Sequence, residues 1–228
     1  MLSGTVERLS FKLWAQLEAA DPDARIVIGI AGVPGSGKST LAHLVCRRVN
    51  QLHKQDHPDT PAEIAIDVPM DGFHYTRAHL ATLSREADAI HRRGAAFTYD
   101  AEGFRRLVQA LVSKPAKRVM APSFDHKAKD PADRAIAISA DTRVVLLEGN
   151  YCALNRPPWS DAAKLMTELW YIDASSDVVH ERLARRHLAS GIVADEKEAW
   201  TRATGTDELN AEDIRSNRLD CEEVVPGF

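Results

Sequence analysis

The order of apolar and polar positions at the start of the chain predicts a helix, a buried strand and a second helix. Apolar side chains recur at helical spacing over residues 5–20, and Asp21-Pro22-Asp23 ends that pattern. Residues 25–31 read RIVIGIA, a short β-branched run typical of a strand buried on both faces, as in a parallel sheet. A glycine-rich loop follows, and residues 38–50 are predicted to be helical.

The same alternation continues along the chain and indicates the fold class. Strands are predicted over residues 63–70, 143–147, 169–172 and 222–225, and helices over 100–113, 177–189 and most of 195–219. Strands that alternate with helices indicate an α/β domain with a mostly parallel sheet. Residues 117–140 contain two short apolar runs separated by PSFDHKAKDPADR, which predicts an antiparallel addition. We expect one domain over residues 1–228, with an N-terminal helix in 1–22.

Composition narrows the classes of protein to consider. Of the 228 residues, 44% are hydrophobic and 27% are charged, which is typical of a folded globular domain. The formal net charge of −4 argues against a nucleic-acid partner, because such proteins usually carry a basic excess. Cys46, Cys152 and Cys221 form no CxxC pair and are expected to be reduced thiols. The apolar runs are far shorter than the ~20 residues that span a bilayer, and the N-terminus lacks the order of a signal peptide. We therefore expect a cytoplasmic protein with no membrane insertion.

The most informative motif is the glycine-rich loop, GVPGSGKST, which fits the Walker A pattern G-x-x-x-x-G-K-[ST]. Glycines let the backbone wrap closely around a phosphate, and the following helix adds the partial positive charge of its N-terminus. Lys38 is expected to reach the β and γ phosphates, and the Ser39 hydroxyl to bind Mg²⁺. The predicted nucleotide-binding residues are Gly32, Val33, Pro34, Gly35, Ser36, Gly37, Lys38, Ser39 and Thr40. The alternative is a glycine-rich turn without a ligand.

Two acidic residues stand where predicted strands end. Asp71 follows EIAIDVPM, and Glu148 follows RVVLL. Because ligands bind at the carboxyl ends of the strands in an open parallel sheet, both carboxylates are expected to face the Walker A loop. One can help to hold Mg²⁺, and the other can accept the proton of an attacking hydroxyl. The alternative is that each carboxylate caps the next turn or helix.

A basic cluster lies on the helix predicted over residues 177–189. Arg182 is three residues before Arg185 and four before Arg186, so the three arginines are expected to share a face. Such a cluster can neutralise the charge that develops on transferring phosphates. The alternative is a solvated basic face that pairs with Asp177 and Glu181.

Five strings in this order resemble one family. GVPGSGKST is followed by MDGFH at 70–74, FTYD at 97–100, LEGNY at 147–151 and RLARR at 182–186. Together they resemble the uridine kinase, phosphoribulokinase and bacterial pantothenate kinase group of P-loop kinases. Within it, the chain is most similar to the bacterial branch labelled as fructose-transport-system kinases. The resemblance implies a P-loop NTPase fold, with a mostly parallel five-stranded sheet flanked by helices and a small helical lid over about residues 187–206.

The resemblance also implies roles for residues in these strings. Asp71 would be the catalytic base, and Glu148 would support Mg²⁺. Arg182 and Arg185 would contact the ATP phosphates as catalytic groups, and Arg186 would help to bind ATP. The implied acceptor-binding residues are Asp71, His74, Tyr99, Asp100 and His126. Packing in the pocket wall is the alternative for His74 and Tyr99, and capping of a turn is the alternative for His126.

These observations favour an ATP-dependent kinase that uses Mg²⁺ and phosphorylates a hydroxyl of a small-molecule acceptor. Its expected catalytic residues are Lys38, Asp71, Arg182 and Arg185. Two alternatives stay open: an ATP-binding regulatory subunit of a transport system, and an NTPase that acts on itself or on a macromolecule. The segment after RLARR is acidic and lacks a second arginine run, so a sugar, a nucleoside and a vitamin-like acceptor all remain open. The preference for ATP over GTP is also left open, as is whether the chain forms a homodimer.

Overall fold

A computed structural model describes residues 2–60, 63–83, 92–125 and 128–228 of the chain. Its strands are β1 (Ile26–Gly32), β2 (Ala65–Pro69), β3 (Val119–Asp125), β4 (Asp130–Ile138), β5 (Val144–Glu148), β6 (Glu168–Asp173) and β7 (Glu223–Pro226). Five of them form one sheet in the order β2-β5-β1-β6-β7, and all neighbouring pairs are parallel. The predicted α/β fold with a five-stranded parallel sheet is confirmed.

Helices follow most of the strands. They are α1 (Leu2–Ala19), α2 (Lys38–Asp56), α3 (Arg77–Leu80), α4 (Ala101–Val112), α5 (Trp159–Ala163), α6 (Ser176–Ala189), α7 (Glu196–Thr204) and α8 (Thr206–Ser216). Short 3₁₀ turns occupy Met70–Phe73 and Ala96–Thr98. The second helix extends to Asp56, six residues beyond its predicted end, and Leu52 in this extension is buried. None of these helices is long and apolar enough to cross a membrane.

The sheet is covered on both faces, and β1 shows how. All seven residues of β1 are buried. Ile26, Ile28 and Ile30 pack in one cluster with residues of α1 and α2. Val27 and Ala31 pack in the other cluster with residues of α4 and α6. Burial on both faces explains why the sequence of this strand has no polar alternation.

Strands β3 and β4 form a separate antiparallel hairpin, as the interrupted apolar runs predict. The hairpin lies against the turn after β2. The two backbones are so close that a Cβ placed on Gly72 would be 2.4 Å from the carbonyl oxygen of Pro122. The buried guanidinium of Arg25, just before β1, donates hydrogen bonds to the backbone carbonyl oxygens of Lys117 and Ser139, which flank the open end of the hairpin. The hairpin therefore contacts the turn after β2, at the carboxyl edge of the sheet, through Pro122, and is joined to the amino edge through Arg25.

The region predicted to be a lid, about residues 187–206, contains the end of α6, a turn with Gly191 at a φ of 62°, and α7. Hydrogen-bond contacts join α6 to the start of α8. His187 Nε2 lies 2.5 Å from Asp207 Oδ2, and His180 Nε2 lies 2.8 Å from Glu208 Oε2. These contacts attach both sides of the region to one another. Closure of the lid stays a prediction.

Candidate active site

The loop between β1 and α2 has a backbone path that favours glycine. Gly35 and Gly37 have φ values of 79° and 105°, in the left-handed region. A Cβ on Gly37 would also lie 2.9 Å from the ring of Phe228. Ser36 is buried, and its hydroxyl finds no hydrogen-bond partner within the described part of the chain. A close-approach backbone and an unpartnered buried hydroxyl fit a ligand rich in acceptor oxygens, such as a nucleotide phosphate.

Lys38 begins α2 and turns its ammonium group back into the loop. Its Nζ donates hydrogen bonds to the carbonyl oxygens of Gly32 and Val33, both at 2.9 Å. Burial lowers the pKa of Lys38, and the negative charges of Glu148 and Asp71 oppose that shift. Lys38, Glu148 and Asp71, all predicted site residues, are therefore close enough for their charges to interact.

Ser39 and Glu148 are brought together as predicted. The Ser39 hydroxyl donates a hydrogen bond of 2.9 Å to Glu148 Oε1. Glu148 ends β5, in register with Ile30 of β1 and Pro69 of β2, so sheet register places it opposite the loop. Burial raises the pKa of Glu148, Lys38 lowers it, and Asp71 raises it further. Hydroxyl and carboxylate oxygens are the ligand type that Mg²⁺ prefers, so this pair fits the ion.

Asp71 lies in the 3₁₀ turn that follows β2, and its side chain is about half exposed, at 47%. The Tyr99 hydroxyl donates a hydrogen bond of 3.4 Å to Asp71 Oδ1. His74 Nδ1 lies 2.9 Å from the backbone oxygen of Asp71 and 3.9 Å from Oδ1. An accessible carboxylate beside the loop can receive a proton from a bound hydroxyl.

Aromatic rings form a wall next to Asp71. The His74 ring lies 3.9 Å from the Tyr99 ring and 5.0 Å from the Phe124 ring, between centroids. Phe124 comes from β3, and the Arg93 guanidinium lies 5.5 Å from its ring centroid. Three segments distant in sequence thus meet here, and two of the predicted acceptor-binding residues, His74 and Tyr99, are in contact.

Asp100 is placed differently from the other acceptor candidates. Its Oδ1 accepts a hydrogen bond of 2.8 Å from the backbone amide of Gly103, so it caps the N-terminus of α4. Its Oδ2 lies 3.5 Å from Arg106. Both carboxylate oxygens therefore have contacts on α4 itself, and a role in acceptor binding stays a prediction. His126, the last acceptor candidate, lies outside the described residues.

The three arginines of α6 do not act as one group. Arg182 donates hydrogen bonds to the carbonyl oxygen of Gly35 in the loop and to that of Phe228. The positive charge of Arg186 lowers the pKa of Lys38, which places Arg186 within electrostatic range of the loop. Arg185 is 76% exposed and pairs with Glu181 at 2.5 Å. The structure therefore joins Arg182 directly to the loop and turns Arg185 towards solvent.

The sequence patterns did not predict two residues of this region, Phe228 and Phe124. Phe228 packs against Gly37 and accepts from Arg182, which makes it a neighbour of the nucleotide loop. Its position could have been found from the predicted final strand, whose carboxyl end must lie at the same edge of a parallel sheet as the loop. Phe124 lies in the run PSFDHKAKDPADR, but nothing in its spacing predicted a contact with His74.

The fold and the loop define this chain as a protein of the P-loop NTPase fold. A family model described as the Phosphoribulokinase / Uridine kinase family matches residues 27–192. The chain therefore belongs to that family. The resemblance inferred from the five strings is confirmed.

Several known proteins are similar to this chain. A protein of Aspergillus versicolor named "ATP-dependent kinase-like protein notR'" is 51% identical over 161 residues, covering 69% of this chain and 94% of that protein. A provisionally named uridine kinase of Schizosaccharomyces pombe is 39% identical over 195 residues, covering 86% and 80%. Among solved structures, one from Silicibacter sp. TM1040, provisionally described as a fructose transport system kinase, has a TM-score of 0.79 and 31% identity, covering 96% and 98%. YFH7 from Saccharomyces cerevisiae has a TM-score of 0.86, covering 97% and 98%, and its 23% identity supports the fold alone.

Proposed function

We propose that this protein is an ATP-dependent kinase that transfers the γ-phosphoryl group to a hydroxyl of a small-molecule acceptor. The observation that carries the proposal is the accessible Asp71 carboxylate beside the phosphate loop, where its charge acts on Lys38 and Glu148. A nucleotide switch or a simple NTPase has no need of a hydroxyl-binding carboxylate and an aromatic wall at that place. The named kinases among the relatives support a phosphotransferase.

Each side chain has a defined task in this proposal. When bound, Mg-ATP supplies the phosphoryl group and an electrophilic phosphorus. With the nucleotide bound, Lys38 would exchange its contacts with the Gly32 and Val33 carbonyl oxygens for phosphate oxygens, and Ser39 and Glu148 are the residues that would hold Mg²⁺. Asp71 accepts the acceptor's hydroxyl proton while that oxygen bonds to the phosphorus and ADP leaves.

The arginines and the predicted lid complete the site. Arg182, already in contact with Gly35, is the arginine best placed to neutralise charge on the transferring group. Arg186 adds long-range positive charge, and Arg185 joins them only if its pair with Glu181 breaks. Closure of residues 187–206 would exclude water and so favour transfer over hydrolysis.

The acceptor belongs to one of three classes: a sugar, a nucleoside or a vitamin-like hydroxyl compound. The wall of His74, Tyr99 and Phe124 suits a flat ring or the apolar face of a sugar. The relatives' names point to a fructose transport system in one case and to uridine in another. Asp100 and His126 remain proposed acceptor contacts.

The test is ADP release from Mg-ATP across a panel of acceptors: fructose and other sugars, uridine, cytidine, ribulose 5-phosphate and pantothenate. We expect one class to stimulate release, and Lys38→Ala to abolish the stimulation. Stimulated release that survives in Lys38→Ala would contradict the assignment of the loop. Release that no acceptor changes would favour the regulatory subunit, whose partner would then be sought by pull-down.

A further inference from the structure

The Tyr99 hydroxyl is a buried donor aimed at the proposed base. It donates to Asp71 Oδ1 at 3.4 Å, and the Tyr99 residue is only 3% exposed. Burial, with the charge of Asp71 adding to it, raises the pKa of Tyr99 well above its usual value. The hydroxyl therefore keeps its proton at neutral pH and can only donate to the carboxylate.

The ring of Tyr99 is held rigidly from two directions. Edge-on contacts join it to the rings of Tyr151, at 5.5 Å, and Trp159, at 6.0 Å, between centroids. On the backbone, His74 and Tyr99 form an antiparallel bridge, and the Asp100 amide donates to the Phe73 carbonyl oxygen at 2.7 Å. These contacts attach the segment that carries Tyr99 directly to the turn that carries Asp71. The position of the hydroxyl relative to Asp71 is thus set by the fold.

Asp71 has few other restraints. Its side chain is about half exposed, and His74 Nδ1 lies 3.9 Å from Oδ1, which is too far for a hydrogen bond. Within the described ranges, Tyr99 is the one side chain that donates a hydrogen bond to this carboxylate. A carboxylate that is half exposed and has no restraint would sample many orientations. Displacement of a catalytic group by about 1 Å can lower the rate of the chemical step by about 10²-fold.

We propose that Tyr99 is a positioning residue, whose hydroxyl fixes Oδ1 of Asp71 so that Oδ2 faces the acceptor hydroxyl. This inference rests on the proposed function and deepens it. It replaces direct acceptor binding by the Tyr99 hydroxyl with an action through Asp71. Tyr99 is then required for the orientation of Asp71, and loss of its hydroxyl lowers kcat only when the Asp71 carboxylate is present.

Two matched variants separate this role from packing. Tyr99→Phe removes the hydroxyl and keeps the ring, and Tyr151→Phe does the same in the neighbouring ring, whose hydroxyl donates to the Gly94 carbonyl oxygen at 2.7 Å. Steady-state kinetics use the panel acceptor that most stimulates ADP release. We expect Tyr99→Phe to lower kcat about tenfold, near the lower limit for a hydrogen bond to a charged group, with the KM for ATP within about twofold of wild type. Tyr151→Phe is expected to keep kcat within about twofold.

A double-variant cycle gives the decisive result. In an Asp71→Ala background, adding Tyr99→Phe should cause no further loss, because the carboxylate that the hydroxyl orients is absent. A further tenfold loss there, equal losses in the two tyrosine variants, or an unchanged kcat in Tyr99→Phe would each overturn the positioning role. The failure of the proposed function has a different signature, since wild-type protein would then show no acceptor-stimulated release at all.

Discussion

Arg25 is a buried cation whose removal should weaken the attachment of the β3–β4 hairpin to the start of β1, at the amino edge of the sheet. The residue is 7% exposed, and burial lowers its pKa. No carboxylate within the described part of the chain forms a salt bridge with it. Its guanidinium instead donates to four carbonyl oxygens, those of Thr142 at 3.0 Å, Leu111 at 3.4 Å, Lys117 at 2.6 Å and Ser139 at 2.7 Å. One side chain thus joins the start of β1 to α4 and to the hairpin.

The expected cost of Arg25→Met follows from these bonds. Methionine has a similar unbranched stem and donates no hydrogen bond, so four carbonyl oxygens lose a donor. At about 1 kcal/mol net for each bond, the loss is about 4 kcal/mol, and removal of the buried charge offsets part of it. We therefore expect a free energy of unfolding lower by about 3 kcal/mol. Arg143→Met is the matched control: within the described ranges Arg143 donates to two carbonyl oxygens, those of Ala24 and Asp21. The bond to Asp21 is exposed to solvent, so we expect a loss of about 1 kcal/mol rather than about 2 kcal/mol.

Equilibrium unfolding in urea, followed by circular dichroism, measures both variants. A loss of about 3 kcal/mol lowers the urea midpoint by about 1 M when the slope is near 3 kcal/mol/M. Arg25→Met with a stability within about 1 kcal/mol of wild type, or no lower than that of Arg143→Met, would refute the reasoning.

Three further changes test the nucleotide site and the N-terminal helix. Gly37→Ala adds a Cβ at a φ of 105° and against Phe228, so the KM for ATP should rise about tenfold or more, and normal ATP kinetics would contradict the loop geometry. Glu148→Gln removes the charge facing Ser39, so the Mg²⁺ concentration for half-maximal activity should rise about tenfold in a titration at fixed ATP, whereas an unchanged titration would exclude Glu148 from the metal site. Hydrogen bonds from Arg8 and Lys12 lower the pKa of Glu223 from its ordinary 4.5, so its stabilising effect is present above pH 4.5 and is lost as pH falls through the lowered value. Glu223→Gln should therefore lower the melting temperature at pH 7, by an amount that decreases as the pH falls below 4.5, and a pH-independent difference would argue for packing instead.

Much of the site could be predicted because parallel sheets bring strand ends together. The Walker A string located Lys38 and Ser39, and the positions of Asp71 and Glu148 after buried strands placed both carboxylates at the same edge. The hydrogen bond from Ser39 to Glu148 agrees with that reasoning. A strand that is buried on both faces has a recognisable composition, which locates its carboxyl end in the sequence. The parallel sheet then places the residues after such strands at one edge.

Contacts made by tertiary placement could not be predicted in this way. Helical spacing put Arg182 and Arg185 on a shared face, but three residues along a helix is a turn of about 300°, which leaves Arg185 free to pair with Glu181 in solvent. The hydrogen bond from Tyr99 to Asp71 joins positions 28 residues apart, and no periodicity in one sequence records it. The cap made by Asp100, in contrast, is recognisable in the sequence, because an aspartate at the start of a predicted helix is a common N-cap.

The most direct test of the central claim is detection of the phosphorylated product. Wild-type protein and Asp71→Asn would be incubated with Mg-ATP and the stimulating acceptor, and the products followed by phosphorus NMR. The account predicts a new phosphate ester in proportion to ADP, and loss of that signal by about 10²-fold or more in Asp71→Asn while ATP binding, measured by calorimetry, is retained. Inorganic phosphate in place of an ester, or an ester formed at the wild-type rate by Asp71→Asn, would contradict the assignment of Asp71 as the base of a kinase.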